Sequence, residues 1–216
     1  MKYALLLAAA CTAVTSQADI WQFDLGPQSG GFGINGANER PTVQTPATGR
    51  EIPDFNSDHT IQYDDSTKQL EIHLGFGSAS EVGGTDLSGD FSGIHIHGPA
   101  DVNSSSSTIL YDLEAELVGL DDQENSLFFP VGGNNRTALL DITFTLREGI
   151  GGFTVAQQQA QLLGSQWYIN VHSSVFPTGE IRGQLLAIPE PEHYAAFAGL
   201  ALLGFAGYRR IKLARA

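Results

Sequence analysis

Hydrophobic and polar positions alternate with a period of two along several short segments of this chain. Residues 70–76 alternate strictly, and residues 91–97 largely do so. A period of two places successive side chains on opposite faces of a β-strand. Further apolar runs of strand length, separated by turn residues, occupy residues 108–113, 139–146, 167–171 and 180–188. The pattern predicts a chain built mainly from short β-strands.

One segment carries the signals of an α-helix. Thr154 is followed three residues later by Gln157, which is the spacing of a capping box, and Gly164 can end the helix after residues 155–163. By contrast, residues 26–58 are rich in Gly, Pro, Asn and Thr and are predicted to be largely irregular. Several short strands with one short helix favour an antiparallel β-sandwich.

The first 18 residues are organised like a signal peptide. Lys2 precedes an apolar stretch that is too short to span a membrane, and small residues before Asp19 predict cleavage after Ala18. A lipoprotein site at Cys11 is the alternative, although the branched residue expected three positions earlier is missing. Cys11 is the only cysteine, so we expect the mature domain to be stable without disulfides.

The carboxyl-terminal residues 189–216 are predicted to form a segment that engages a membrane. An uncharged apolar run at 194–208 would form a helix of roughly 22 Å, which is short for a bilayer core of about 30 Å. The basic residues that follow it predict a cytoplasmic end for the chain. Pro189, Glu190 and Pro191 precede the apolar run, and Arg209 and Arg210 follow it.

This order of elements resembles the PEP-CTERM sorting signal of Gram-negative bacteria. The resemblance implies recognition by an exosortase-type membrane protease and removal of the tail. The protein would then be anchored only transiently in the inner membrane before it reaches the cell surface or the extracellular matrix. A plain carboxyl-terminal membrane anchor is the alternative interpretation.

The segment between these two ends carries a larger negative charge than the whole chain. The whole chain has a net charge of −13, but five of its 11 basic residues and only two of its 24 acidic residues lie in the ends. Residues 19–188 therefore carry a net charge of −16. Such a surface repels nucleic acid, so we expect no nucleic-acid partner, and it suits a solvated extracellular protein.

Two histidines lie close together in a predicted strand. His95 and His97 share one face of the strand, while Ile94 and Ile96 share the other. Two imidazoles at this spacing can hold a transition metal ion if a third ligand comes from elsewhere in the chain. The alternative is a pair of ordinary surface histidines.

A third candidate histidine lies in the last predicted hairpin. His172 ends one strand, and Pro177 marks the reversal before the next. Glu180 and Arg182 share a face of that next strand, where they can flank His172 or form an exposed ion pair worth less than about 1 kcal/mol. If this hairpin lies beside residues 91–97, the three histidines can form a cluster.

Residues 95–100, 168–172 and 177–183 together resemble the CHRD domain, a module named after chordin. Bacterial CHRD proteins often carry a PEP-CTERM-type tail. The resemblance covers residues 45–188, which leaves 19–44 as an irregular amino-terminal segment, and it implies a compact β-rich extracellular module without an established catalytic role. The motif residues other than the histidines are Gly98, Asn170, Gly179, Glu180, Arg182 and Gly183.

Two hypotheses for the function follow. The first is a non-enzymatic surface or matrix protein that binds an extracellular polysaccharide or a protein. The second is a domain that binds copper or zinc through His95, His97 and His172, with redox activity like that of superoxide dismutase as a fold-level analogy. The sequence contains no motif of a serine hydrolase, a P-loop enzyme or a dinucleotide-binding enzyme.

Overall fold

A computed structural model gives the fold of this chain. The structure describes residues 19–28, 30–53, 60–105, 107–117, 125–129 and 134–188, together with five positions between 199 and 208. The predicted signal peptide and almost all of the predicted sorting tail lie outside the described residues. The predicted carboxyl-terminal apolar helix is not confirmed. Within the described ranges, no helix has the length and apolar character needed to cross a membrane.

Eleven strands and two helices make up the described domain. The strands are β1 (Ile20–Gly26), β2 (Ile34–Asn35), β3 (Thr48–Glu51), β4 (Ile61–Asp64), β5 (Gln69–Phe76), β6 (Phe91–His97), β7 (Ile109–Asp112), β8 (Ser126–Phe128), β9 (Ala138–Thr145), β10 (Tyr168–Ser173) and β11 (Ile181–Ile188). The helices are α1 (Leu113–Leu117) and α2 (Val155–Leu163).

The strands form one antiparallel sheet that curls into a sandwich. One edge of β5 pairs with β4 and β3, and its other edge pairs with β9, which also carries β8. One edge of β11 pairs with β1 and β2, and its other edge leads through β10 and β6 to β7. Helix α1 contacts β6 and β7 as well as β8 and β9, so it bridges the two ends of the curled sheet. The prediction of a mainly β antiparallel sandwich is confirmed.

The interior of the sandwich contains the apolar side of each alternating strand. On β5 and β9, the even-numbered positions from Leu70 to Phe76 and from Ala138 to Phe144 are buried. Ile94 and Ile96 of β6 face the same core. Because the apolar positions of these strands point inward, their polar positions point to the outer faces of the sheet. The position of the histidines therefore follows from the burial of Ile94 and Ile96.

Most of the predicted elements are present. The strands predicted around residues 70–76, 91–97 and 139–146 are confirmed, as is the last hairpin. The prediction that residues 26–58 are largely irregular is partly wrong, because β2 and β3 lie there, and β1 belongs to the amino-terminal segment 19–44 that was expected to be irregular. Strands β2 and β3 are short, and they are fixed by pairing with β11 and β5 rather than by a long alternating pattern.

The predicted helix begins and ends as its sequence indicates. The Thr154 hydroxyl accepts a hydrogen bond from the backbone N–H of Gln157 at 3.2 Å, and the Gln157 side chain accepts one from the backbone N–H of Thr154 at 2.9 Å. Gly164 caps the other end. The buried side chain of Gln158 joins α2 to the Tyr111 hydroxyl, which donates to it at 2.5 Å.

We expect Thr154→Ala to lower the free energy of unfolding by about 1 kcal/mol, because it removes the capping hydroxyl from the first turn of α2. Urea denaturation monitored by tryptophan fluorescence measures the change. Thr154→Ser retains the hydroxyl and is the matched control. Equal stability of the alanine variant and the wild type would show that the cap does not stabilise the fold.

Candidate functional site

The outer face of β6, β10 and β11 is polar and largely buried. The antiparallel register places Asn170 of β10 between His95 of β6 and Arg182 of β11. Tyr168 lies opposite His97 on one side and Gln184 on the other. The last hairpin lies beside the strand of the first motif, which meets the condition under which the three histidines could form a cluster. The loops that follow β6, β2 and β10 cover this face.

The three histidines of the motifs meet on this face. Nδ1 of His95 lies 3.0 Å from Nε2 of His172. One ring nitrogen from each of His95, His97 and His172 lies within 4.8 Å of the other two. His97 and His172 are buried, with 7% and 8% of their surface exposed, whereas His95 is half-buried. Solvent therefore reaches the cluster from the side of His95.

Backbone carbonyls fix the orientation of two of the rings. Nδ1 of His97 donates to the carbonyl oxygen of Ser107 at 2.9 Å, and Nδ1 of His172 donates to that of Pro177 at 3.1 Å. With its proton on Nδ1, each neutral ring has a lone pair on Nε2. Nε2 of His97 is buried and has no hydrogen-bond partner among the described residues.

Burial keeps these two rings neutral. It lowers the pKa of His97 to about 4, and the charges of His95, His172 and Arg182 act in the same direction, while the bond to the Ser107 carbonyl acts against them. Burial is also the main cause that lowers the pKa of His172. A neutral imidazole is the form that binds a metal ion.

A column of stacked side chains sets the plane of the His97 ring. The rings of His97 and Tyr168 are parallel within 4°, with centroids 4.9 Å apart. On the opposite face of the Tyr168 ring, the Arg182 guanidinium carbon lies 3.5 Å from the ring centroid. The backbone N–H of Ser107 donates to the Tyr168 hydroxyl at 3.2 Å, so one loop residue contacts both rings of the column.

Arg182 also fastens the loop that covers the site. Its guanidinium donates to the carbonyl oxygens of Asp101, Ser104 and Ser105 at 3.0, 2.8 and 3.1 Å, and to the side chain of Gln184 at 3.0 Å. The alternative of an exposed ion pair between Glu180 and Arg182 is wrong. Only 1% of Arg182 and 0% of Glu180 is exposed, and each binds other partners.

Glu180 joins three segments that surround the site. One carboxylate oxygen accepts from the Thr45 hydroxyl at 2.6 Å and from the backbone N–H of Ser88 at 2.8 Å. The other oxygen accepts from the Ser173 hydroxyl. A buried carboxylate with three donors is well compensated, so Glu180 acts as a structural anchor of the motif.

The motif glycines permit close packing on both faces of the sheet. Gly179 has a φ of +126°, and a Cβ there would lie 2.5 Å from the amide nitrogen of Asn170. A Cβ at Gly98 would lie 2.6 Å from the Trp167 ring, and one at Gly183 would lie 2.9 Å from the backbone oxygen of Gly33. Gly179 therefore packs against the buried Asn170 on the polar face, whereas Gly98 and Gly183 face the core side of the sheet.

Glu39 is a buried carboxyl near Arg182 that the sequence analysis missed. Burial raises the pKa of Glu39 to about 7, although the charges of Arg182 and Arg40 act in the opposite direction. Its Oε1 has no hydrogen-bond partner within the described ranges. Tyr168 and Gln184 could have been found from the period of two that links them to Asn170 and Arg182. No such pattern marks Glu39, because it follows a short 3₁₀ turn outside the alternating strands.

A separate pocket of about 220 Å³ lies on the outer face of β5 and β9. It is lined by His73 together with apolar residues such as Ile52, Phe128 and Leu139. His73 contacts Glu71 at 2.8 Å and Asp141 at 3.1 Å. The histidine cluster is not part of this pocket.

The fold and the site define an antiparallel β-sandwich module with a buried polar face that carries clustered histidines. The family profile of the CHRD domain matches residues 32–185, which is more than half of the chain, so the chain belongs to the CHRD domain family. CHRD domains are modules of extracellular or secreted proteins. A comparison with curated proteins and one with solved structures each found no match.

We expect Glu39→Gln to stabilise the protein more at pH 8 than at pH 5. The folded state holds the Glu39 proton up to a pKa of about 7, above the ordinary value of 4.5, so wild-type stability falls as the pH rises through this window. The glutamine variant lacks this loss, which is on the order of 3 kcal/mol. Urea denaturation at both pH values measures it. Exposed Glu81→Gln is the control, and an equal gain at pH 5 and pH 8 would contradict the assignment.

Proposed function

We propose that this chain is an exported protein of the cell surface or the extracellular matrix, and that its CHRD domain acts by binding rather than by catalysis. The family supports an extracellular setting. The two sequence ends support export and sorting by an exosortase-type protease, with transient anchoring in the inner membrane. The ligand that the geometry of the domain supports best is a transition metal ion, copper or zinc, held by His95, His97 and His172.

The observation that carries the metal proposal is Nε2 of His97, which has no hydrogen-bond partner in the described part of the chain. Leaving a buried acceptor without a partner costs roughly 1–3 kcal/mol. Here the acceptor is a lone pair on a neutral ring that is oriented by the Ser107 carbonyl, and ring nitrogens of two further histidines lie within 4.8 Å. A metal ion among the three nitrogens would use this lone pair.

The hydrogen bonds indicate which nitrogen each ring offers to the metal. His97 and His172 offer Nε2, because their Nδ1 atoms donate to carbonyls, and His95 offers Nδ1, which faces His172. Two ligands of a tetrahedral metal ion at about 2.0 Å lie roughly 3.3 Å apart, so the rings would close by as much as roughly 1.5 Å on binding. Imidazole ligands suit both zinc and copper, and the general order of affinities places Cu²⁺ above Zn²⁺.

No second observation favours redox chemistry of the superoxide dismutase kind, so it is not part of this proposal. A macromolecular partner, either an extracellular polysaccharide or a protein, fits the surface setting and remains part of the binding role proposed here. The acidic surface argues against a nucleic-acid partner.

We expect the full-length chain to bind one Cu²⁺ or Zn²⁺ ion and to lose roughly 100-fold or more of its affinity in His95→Gln and in His172→Gln. Each glutamine removes one imidazole ligand and retains a polar side chain of similar size. Isothermal titration calorimetry and elemental analysis after dialysis measure affinity and stoichiometry.

His73→Gln is the matched control for this experiment, because His73 is a buried histidine that lies outside the cluster. It should bind the metal as the wild type does. A wild-type protein that stays metal-free in excess copper and zinc would refute the metal proposal. An equal loss of affinity in all three variants would also contradict it.

The sorting proposal has an independent test. Replacing Pro189, Glu190 and Pro191 by alanine should leave an uncleaved precursor in the inner membrane, because the protease would no longer recognise the tail. Immunoblots of membrane and extracellular fractions measure its size and location. Substitution of Glu192 and His193, which follow the motif, is the control. An unchanged size and location in the triple variant would contradict the sorting role.

A further inference from the structure

We infer that Glu114 is the residue that positions His95 for metal binding, by accepting a hydrogen bond from Nε2–H of that ring. This inference rests on the metal site proposed above. Histidines that bind metals generally donate their second ring N–H to a carbonyl, a carboxylate or water, which fixes the ring and the nitrogen that faces the metal. Ser107 and Pro177 do this for His97 and His172.

His95 needs a partner of the same kind on its Nε2 side. Its Nδ1 faces His172, so Nε2 points away from the cluster. A Cβ placed on Gly93 would lie 3.5 Å from Nε2 of His95 and 3.7 Å from Oε2 of Glu114. These two atoms therefore border the same small space, which is open because residue 93 has no side chain.

The start of α1 fixes the position of Glu114 beside this space. The side chain of Asp112 accepts hydrogen bonds from the backbone N–H groups of Glu114 at 3.1 Å and Ala115 at 3.2 Å. Asp112 is itself paired with His95 across the β6–β7 register. The Glu114 side chain is exposed, so its carboxylate is free to turn over Gly93 toward Nε2 of His95.

The charge of the site supports the same role. Three neutral imidazoles leave the two positive charges of a divalent ion uncompensated in a largely buried place. Glu114 supplies a negative charge next to the one ligand that reaches solvent. Without the metal, a neutral His95 carries its proton on Nδ1 and donates it to His172 Nε2. When the metal takes Nδ1, that proton passes through solvent to Nε2 of the same ring, where Glu114 would accept the hydrogen bond.

Long-range ¹H–¹⁵N NMR of the histidine rings tests the inference in the full-length protein, with Zn²⁺ as the metal. In Zn²⁺-loaded wild type, we expect His95 to be bound through Nδ1 and protonated on Nε2. In Glu114→Ala, we expect this Nε2–H signal to be lost, and the affinity for Zn²⁺ to fall by about 10- to 100-fold. Glu114→Gln retains an acceptor oxygen and should restore the signal and part of the affinity.

Glu116→Gln is the matched control, because Glu116 lies on the same helix and pairs with Arg147. It should leave both measurements unchanged. Wild-type behaviour of Glu114→Ala in both measurements overturns the inference. Failure of the wild type to bind Zn²⁺ would instead refute the metal site, and the inference with it.

Discussion

The polar side of this sandwich depends on the hydrogen bonds and the ring stacking that the buried guanidinium of Arg182 makes. It donates to three carbonyls of the loop that follows β6 and stacks on Tyr168, which in turn stacks on His97. Because an arginine presents several donors in one rigid plane, a single side chain fixes both the covering loop and the ring plane of a candidate ligand. Strand pairing sets the register of the polar side chains, and Arg182 holds the covering loop over them.

This arrangement buries ionisable groups, and removing such groups from water costs free energy. The face holds a charged arginine, two carboxyls and three imidazoles, and taking polar groups of this kind out of water costs free energy unless they find partners. Glu180 is compensated by three hydrogen bonds, whereas Glu39 and His97 each retain an unpartnered atom among the described residues. The uncompensated nitrogen of His97 belongs to the histidine cluster, and a buried polar atom without a partner is typical of sites that exchange some stability for binding. Between the two layers, the inward-facing side chains of both form an apolar core, and the burial of that core offsets the cost.

Particular residues show how far the sequence could predict this site. Alternation around Ile94 and Ile96 placed His95 and His97 on one face, and it would equally have placed Tyr168 and Gln184 beside Asn170 and Arg182. Alternation alone could not distinguish a solvated outer face from one covered by loops. For that reason an exposed ion pair between Glu180 and Arg182 stood as one alternative, and it is wrong because both residues are buried. Glu39 and Glu114 come from a loop and a short helix, where no period exists to predict their direction.

The sequence by itself determined the class of fold, the helix with its capping box, the strand that bears two histidines and the membership of the CHRD family. These features depend on local patterns, because a period of two or a capping spacing acts within a few residues. Only the tertiary structure decided that β10 lies beside β6 and brings His172 to His95, that Arg182 is buried, and that Glu114 borders the site. Such contacts join residues far apart in the chain, and their geometry depends on strand register and loop closure, which no single segment contains.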